Sequence, residues 1–133
     1  MKHAEQSFEN SKELQLLEGS AAFFPCLIHA IDNAQISVQM ETYIFDVTAT
    51  GTHVALAIER AAERGVVVKL IVDGYGTSNL PSEWQDRFKA AGVRFCIFQP
   101  VVALAFLIPS QWRRLHRKLC VVDGCIAFCG GIN

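Results

Sequence analysis

No long hydrophobic run occurs in this 133-residue chain. The longest unbroken apolar stretch is Val101–Ile108, eight residues, against the roughly 20 that a membrane-spanning helix needs. A transmembrane helix is therefore not expected. The opening segment, MKHAEQSFENSKELQL, lacks the apolar stretch of a secretory signal. Repeats at solenoid periods and low-complexity tracts are also missing, which argues for one compact unit. A surplus of charge is absent too: 12 Lys+Arg stand against 13 Asp+Glu, a net charge of -1. That balance argues against a general nucleic-acid coat protein, so nucleic acid is an unlikely partner. What is abundant is apolar surface. With 51% hydrophobic and 19% charged residues, the chain can bury a core, which excludes intrinsic disorder, and its length suits a single domain. Five cysteines, an odd number, in a chain that folds without cross-links point to free thiols and a reducing compartment.

Periodicity and turn chemistry predict an α/β fold. Glu13–Glu18 (ELQLLE) reads as a short opening strand, and Ser20 as the N-cap of the apolar helix AAFFPCLIHAIDNA, in which Pro25 must sit early or cause a kink. Ile36–Phe45 alternates β-branched and aromatic residues as a strand does. His53–Arg64 carries apolar residues at helical spacing and stops at Gly65. Val66–Val72 reads as a buried strand, Pro81 or Ser82 opens a helix to Ala91 before Gly92, and Val93–Phe98 is a further strand. The expected architecture is a layered, mostly parallel or mixed sheet flanked by helices and ending in a β-hairpin.

Charge is unevenly placed. Residues 101–133 hold Arg113, Arg114, Arg117 and Lys118 against Asp123 alone, a balance of +3, whereas the preceding hundred hold eight bases and twelve acids, or -4. A local anion site near Arg113–Lys118 is therefore open. Loops at the carboxyl ends of parallel strands commonly bind ligands, which makes Asp73–Leu80 (DGYGTSNL) a candidate wall of a site. The alternative is a loop whose glycines only supply positive φ. Glu41, in an otherwise apolar strand, reads as a solvated or hydrogen-bonded carboxylate or as the partner of a cation in the site.

The chemistry concentrates in the last eighteen residues, HRKLCVVDGCIAFCGGIN. Asp123-Gly124 between apolar runs is a strong hairpin signal. Counting outward from a two-residue turn sets Val122 opposite Cys125, Leu119 opposite Phe128, Lys118 opposite Cys129 and His116 opposite Gly131. On that register His116, Lys118, Gly131 and Asn133 project from one side of the sheet. Such a set suits a phosphate: an imidazole nucleophile, an ammonium on the non-bridging oxygens, a carboxamide donor, and a glycine leaving open floor beside them. Gly130-Gly131 also reads as a bulge. Asp123 falls in the turn with the opposite parity, which assigns it the structural task of fixing that turn.

The pattern His116-x-Lys118-x4-Asp123-x6-Gly130-Gly131-x-Asn133 resembles the signature of the phospholipase D superfamily, with six identities over eighteen positions. The segments LLEG, METYIF, ERGVVVKLIVDGYG, AAGVRF and RRLHRK are similar, in order and spacing, to the first half of bacterial cardiolipin synthases of the type without N-terminal membrane helices. The resemblance implies a cofactor-free, metal-free phosphatidyl transfer. One motif histidine attacks a phospholipid phosphodiester to form a phosphohistidine. The histidine of a second motif protonates the leaving alcohol and deprotonates the incoming one. His116 would be one of that pair, with Lys118 and Asn133 as the phosphate clamp and Asp123 as a structural member of the motif. Only one such motif is present, because His3, His29 and His53 have no Lys two positions on. The resemblance thus implies the amino-terminal half-domain of a longer two-motif enzyme, partnered by the second half or by an identical subunit. It also implies peripheral contact with the inner face of the cell membrane.

Other features admit two readings each. Arg113 and Arg114 either attract anionic headgroups or form an exposed basic turn. Val101–Ile108, with Trp112 nearby, is either a lip that dips into a membrane interface or a core segment. Cys120, Cys125 and Cys129 lack a CxxC pair, and buried free thiols are preferred to a metal site. Two other functions compete with phosphatidyl transfer: a single-motif homodimeric phosphodiesterase on nucleic acid, and a non-catalytic membrane-binding domain.

Overall fold

A computed structural model describes residues 13–101, 107, 109 and 113–132. The chain enters helix α1 (Gly19–Asp32) through Gly19 at φ +74°, so the helix begins one residue before Ser20, and no side chain caps it. Pro25 lies inside α1, where its missing N–H gives up one helical bond. Strand β1 (Ser37–Thr42) leads to helix α2 (Ala49–Glu63). This helix starts four residues ahead of His53 and buries Val54, Ala55, Ala57, Ile58, Ala61 and Ala62. That stripe of mostly small residues turns one helical face inward. Strand β2 (Val67–Asp73), helix α3 (Ser82–Ala91) and strand β3 (Arg94–Phe98) follow, with Gly92 closing α3 in the left-handed region at φ +89°. Strands β4 (Leu119–Val122) and β5 (Ile126–Cys129) form the terminal hairpin.

The five strands build one mixed sheet in the order β3-β2-β1-β4-β5. β1, β2 and β3 run parallel, β4 is antiparallel to β1, and β5 is antiparallel to β4. Val38, Val68, Leu70, Val72, Cys120 and Val122 share one core with Ile31, Ile58 and Phe88 of the helices. On the other face Gln39, Lys69, Arg94, Ala127 and Cys129 are exposed, while Glu41, Ile71 and Val121 are partly buried. The expectation of an α/β fold, a mixed sheet flanked by helices and ending in a hairpin, is met. None of the described helices is long and apolar enough to cross a membrane.

The expected strand at Glu13–Glu18 does not form. The segment has no ladder partner among the described residues, and Leu14 and Leu16 are 101% and 82% exposed. Alternation makes a strand only where a neighbouring edge accepts its hydrogen bonds.

The hairpin register also differs from the count. Val122 pairs with Ile126, Cys120 with Phe128 and Leu119 with Cys129. The turn does close at Asp123-Gly124, both at positive φ, with the Cys125 N–H donating to the Val122 carbonyl at 3.0 Å. Cys125 is then an extra residue, and the ladder slips by one. Lys118 consequently faces Gly130, whose N–H donates to the Lys118 carbonyl at 3.4 Å, and continuing the register sets Ile132, not Gly131, opposite His116. Gly131 therefore leaves the face it was expected to share with Lys118. The slip likewise parts Cys120 from Cys129, which were expected on the same face. Among the cysteines only Cys120 is buried; Cys26, Cys96, Cys125 and Cys129 are exposed. Burial pushes the Cys120 thiol up to about 12, so it behaves as a small apolar residue.

Candidate active site

The topology gathers one edge of the sheet: the carboxyl ends of β1, β2, β3 and β5, and the amino end of β4. Asp73, the last residue of β2, organises it. Its carboxylate is fully buried (0% exposed) and accepts three backbone N–H groups. Oδ1 receives Tyr75 at 2.8 Å and Gly76 at 3.1 Å, and Oδ2 receives Leu115 at 2.8 Å. One side chain thus fixes the glycine loop and, 42 residues later, the residue before His116. The His116 side chain is exposed, and its ring stacks on Tyr43 with centroids 5.1 Å apart and planes 20° from parallel. Tyr43 is held in turn by Thr77, whose hydroxyl donates to the Tyr43 carbonyl at 3.0 Å and accepts the Phe45 N–H at 2.9 Å.

The glycines of this loop serve close approach, not positive φ. A Cβ at Gly74 would lie 2.5 Å from the Gln99 carbonyl oxygen, and one at Gly76 would lie 2.3 Å from that of Tyr43. The segment Asp73–Leu80 is therefore a support beneath the histidine. Sequence reasoning marked the segment but missed Tyr43, Asp73 and Thr77 individually. The available signal was an Asp-Gly-x-Gly-Thr run directly after a buried strand.

Lys118 is half-buried and lines a cavity of about 260 Å³ together with Thr42, Cys120, Phe128 and Ile132. Gly130 and Gly131 stand in the open, since a Cβ at either would meet nothing within 4 Å. Gly131 was expected to leave open floor beside the imidazole; the register instead sets Gly130 opposite Lys118 and Ile132 opposite His116. Between the two motif residues, Arg117 pairs with Glu41 at 3.6 Å, with the arginine side chain 75% exposed. This gives Glu41 the cationic partner that was one of its two readings. The contact is too long for a hydrogen bond, and the buried Glu41 Oε2 has no hydrogen-bond partner. The Arg114 guanidinium lies 5.2 Å above the Tyr75 ring, a cation–π contact, while Arg113 is exposed. Asn133, Trp112 and most of Val101–Ile108 lie outside the described residues; Val101 and Leu107 of that stretch are exposed.

Asp123 acts at the opposite edge. Its carboxylate accepts the N–H groups of Gln35, Ile36 and Ser37 at 2.9, 2.8 and 2.8 Å, and its own N–H donates to the Ser37 carbonyl at 2.8 Å. These three donors hold its carboxyl below the usual range, the Gln35 N–H most strongly. Through these bonds Asp123 ties the segment that leads into β1 to the turn.

Residues 27–133 match the family model described as cardiolipin synthase, phospholipase D-like domain. Cardiolipin synthase B of Escherichia coli K12 is 36% identical over 127 residues, which cover 96% of this chain and 31% of the relative. Cardiolipin synthase 1 of Bacillus anthracis is 33% identical over 119 residues, or 90% of this chain and 23% of that protein. The chain therefore spans a third or less of the curated relatives it matches. Among solved structures, the phospholipase D family member Nuc from Salmonella typhimurium superposes with a TM-score of 0.53 at 23% identity, over 74% of this chain and 56% of Nuc. That likeness concerns the fold alone.

Proposed function

Because the chain belongs to the family of cardiolipin synthase, phospholipase D-like domains, we propose that it supplies one motif-bearing half of a phosphatidyltransferase site acting on phosphatidylglycerol-like lipids. The observation that carries this reading is the position of His116. It is an exposed imidazole stacked on Tyr43, next to a residue pinned by a buried carboxylate and two residues before Lys118.

The chemistry assigned to the pair of motifs is a double displacement. One imidazole nitrogen attacks phosphorus, and the P–N bond forms as the P–O bond to the leaving alcohol breaks. The histidine of the second motif gives the departing oxygen a proton. It then takes the proton of the incoming hydroxyl, which attacks phosphorus and breaks the P–N bond. His116 fits either member of the pair. The Lys118 ammonium would neutralise the non-bridging oxygens, with Asn133 as a further donor and Gly130-Gly131 leaving room for them. Asp123 takes no proton; it locks the hairpin to β1. Arg113 and Arg114 would draw anionic headgroups toward the edge, in a protein bound peripherally to the membrane surface. The second motif comes from a second half or from an identical subunit.

The test is conversion of phosphatidylglycerol to cardiolipin and glycerol by the two-motif enzyme that contains this chain, with divalent metals chelated. His116→Ala should lower turnover by at least about a thousandfold. An alanine enzyme of near-normal rate would remove His116 from the reaction. Cleavage of a nucleic-acid diester in preference to the lipid would overturn the substrate class.

A further inference from the structure

The cavity that Lys118 lines differs in character from the open edge where His116 sits. It lies between α1, the end of β1, the first turns of α2 and the hairpin, and its walls include Phe23, Leu27, Met40, Val54 and Phe128. Phe23 meets Phe24 and Phe128 edge-to-face at centroid distances of 5.5 and 5.9 Å, which makes one wall aromatic. Several of the polar side chains among its lining are engaged, although the buried Glu41 Oε2 makes no hydrogen bond. The Asp46 carboxylate accepts both the N–H and the hydroxyl of Thr48, the Thr42 hydroxyl donates to the Ile44 carbonyl, and Glu41 pairs with Arg117. Among the described lining residues, Lys118 alone is basic.

Such a space suits an apolar guest better than water. Apolar cavities of about 150 Å³ stay dry and admit benzene, and the ~260 Å³ here approaches the lower end of ordinary ligand pockets, about 300 Å³. The aromatic and aliphatic wall of Phe23, Leu27, Met40, Val54 and Phe128 suits a hydrocarbon tail, and Lys118, the one basic side chain of a lining that also holds Glu41 and Asp46, suits a single negative charge at the end of that tail. We infer that this cavity is the seat of a single acyl chain of the phosphodiester lipid, with the phosphate held at Lys118 and the tail running between α1 and β5. The inference rests on the phosphatidyl-transfer reading and extends it. One motif residue would then serve two tasks, binding the headgroup charge and fixing where the tail enters.

Binding of glycerophosphoglycerol, which has no tail, and of lysophosphatidylglycerols of increasing chain length below their micelle concentrations separates the two readings. Calorimetry or ligand-observed NMR on the 133-residue chain reads it. The expected result is tightening of up to about fourfold for each added methylene, ending in a plateau once the cavity is full. Thr50→Trp, on the exposed first turn of α2 where Thr50 lines the cavity, should abolish the chain-length dependence and leave glycerophosphoglycerol binding unchanged. Thr50→Phe is the smaller substitution should the tryptophan variant fail to fold, and the wild-type series stands without either. Headgroup binding that is indifferent to chain length would overturn the tail site and leave the proposed reaction standing. So would a length dependence that both variants preserve. A length dependence shared by neutral alkyl glycerols, without any binding of glycerophosphoglycerol, would support an apolar seat but overturn the phosphodiester assignment.

Discussion

Asp73 and Asp123 each collect three backbone N–H groups, yet they stand at opposite edges of the sheet and in opposite surroundings. Asp73 is wholly buried and joins two loops that the sequence separates by 42 residues. Asp123 sits in a partly exposed turn and joins that turn to Gln35, Ile36 and Ser37, where the chain enters β1. Between them they clamp the motif segment at both ends: one fixes the chain just before His116, the other fixes it just after β4. The difference teaches that a short antiparallel hairpin, with only four residues in each strand, is held in place chiefly by carboxylates that borrow the backbone of the parallel half.

The comparison breaks if the buried clamp is not the stronger one. Asp73→Ala should cost about 3 kcal/mol or more, because three donors lose an acceptor inside the fold. Urea unfolding gives this directly, and a loss no larger than that of Asp123→Ala would refute the ranking. Asp73→Asn should keep one acceptor oxygen for Tyr75 and Gly76 and selectively speed amide exchange at Leu115.

A pH series sharpens the other half. The folded carboxyl of Asp123 lies below its ordinary value of 3.8, so the folded state favours the ionised form. Its contribution is complete above that value and is lost as pH falls through the lowered folded value. The urea midpoint of the wild type should therefore drop more steeply than that of Asp123→Asn between about pH 5 and about pH 2; parallel curves would remove the clamp. The smallest effect belongs to the side-chain pair beside the motif. Arg117→Ala, which ends a 3.6 Å contact between an exposed arginine and a partly buried Glu41, should change stability by no more than about 1 kcal/mol, measured by the same titration.

The parallel half was legible because its signals are local. Val68, Leu70 and Val72 alternate inward and Gly92 ends α3; in the hairpin, the Asp123-Gly124 turn is as local a signal and closes where its composition says it should. The motif itself could be read by spacing alone. What could not be read depends on partners distant in sequence. ELQLLE alternates as a strand does, but it pairs with none of the described strands. The two-residue count at the turn fails because Cys125 adds a third loop residue, and one residue is enough to move Gly131 off the Lys118 face. Asp73 stood out only as part of a loop, since nothing near it in sequence announces Leu115. Tyr43 looked like one more strand aromatic until the chain after Arg114 brought His116 onto it.

The sheet stops at β5, which pairs with β4 alone among the described strands. Its outer row of amides and carbonyls runs directly into Gly130 and Gly131, so a strand that docked there would lengthen the sheet and at the same stroke raise a wall beside the glycines. Recruitment and completion would then be one event, and dilution would silence such a catalyst before heat or denaturant did.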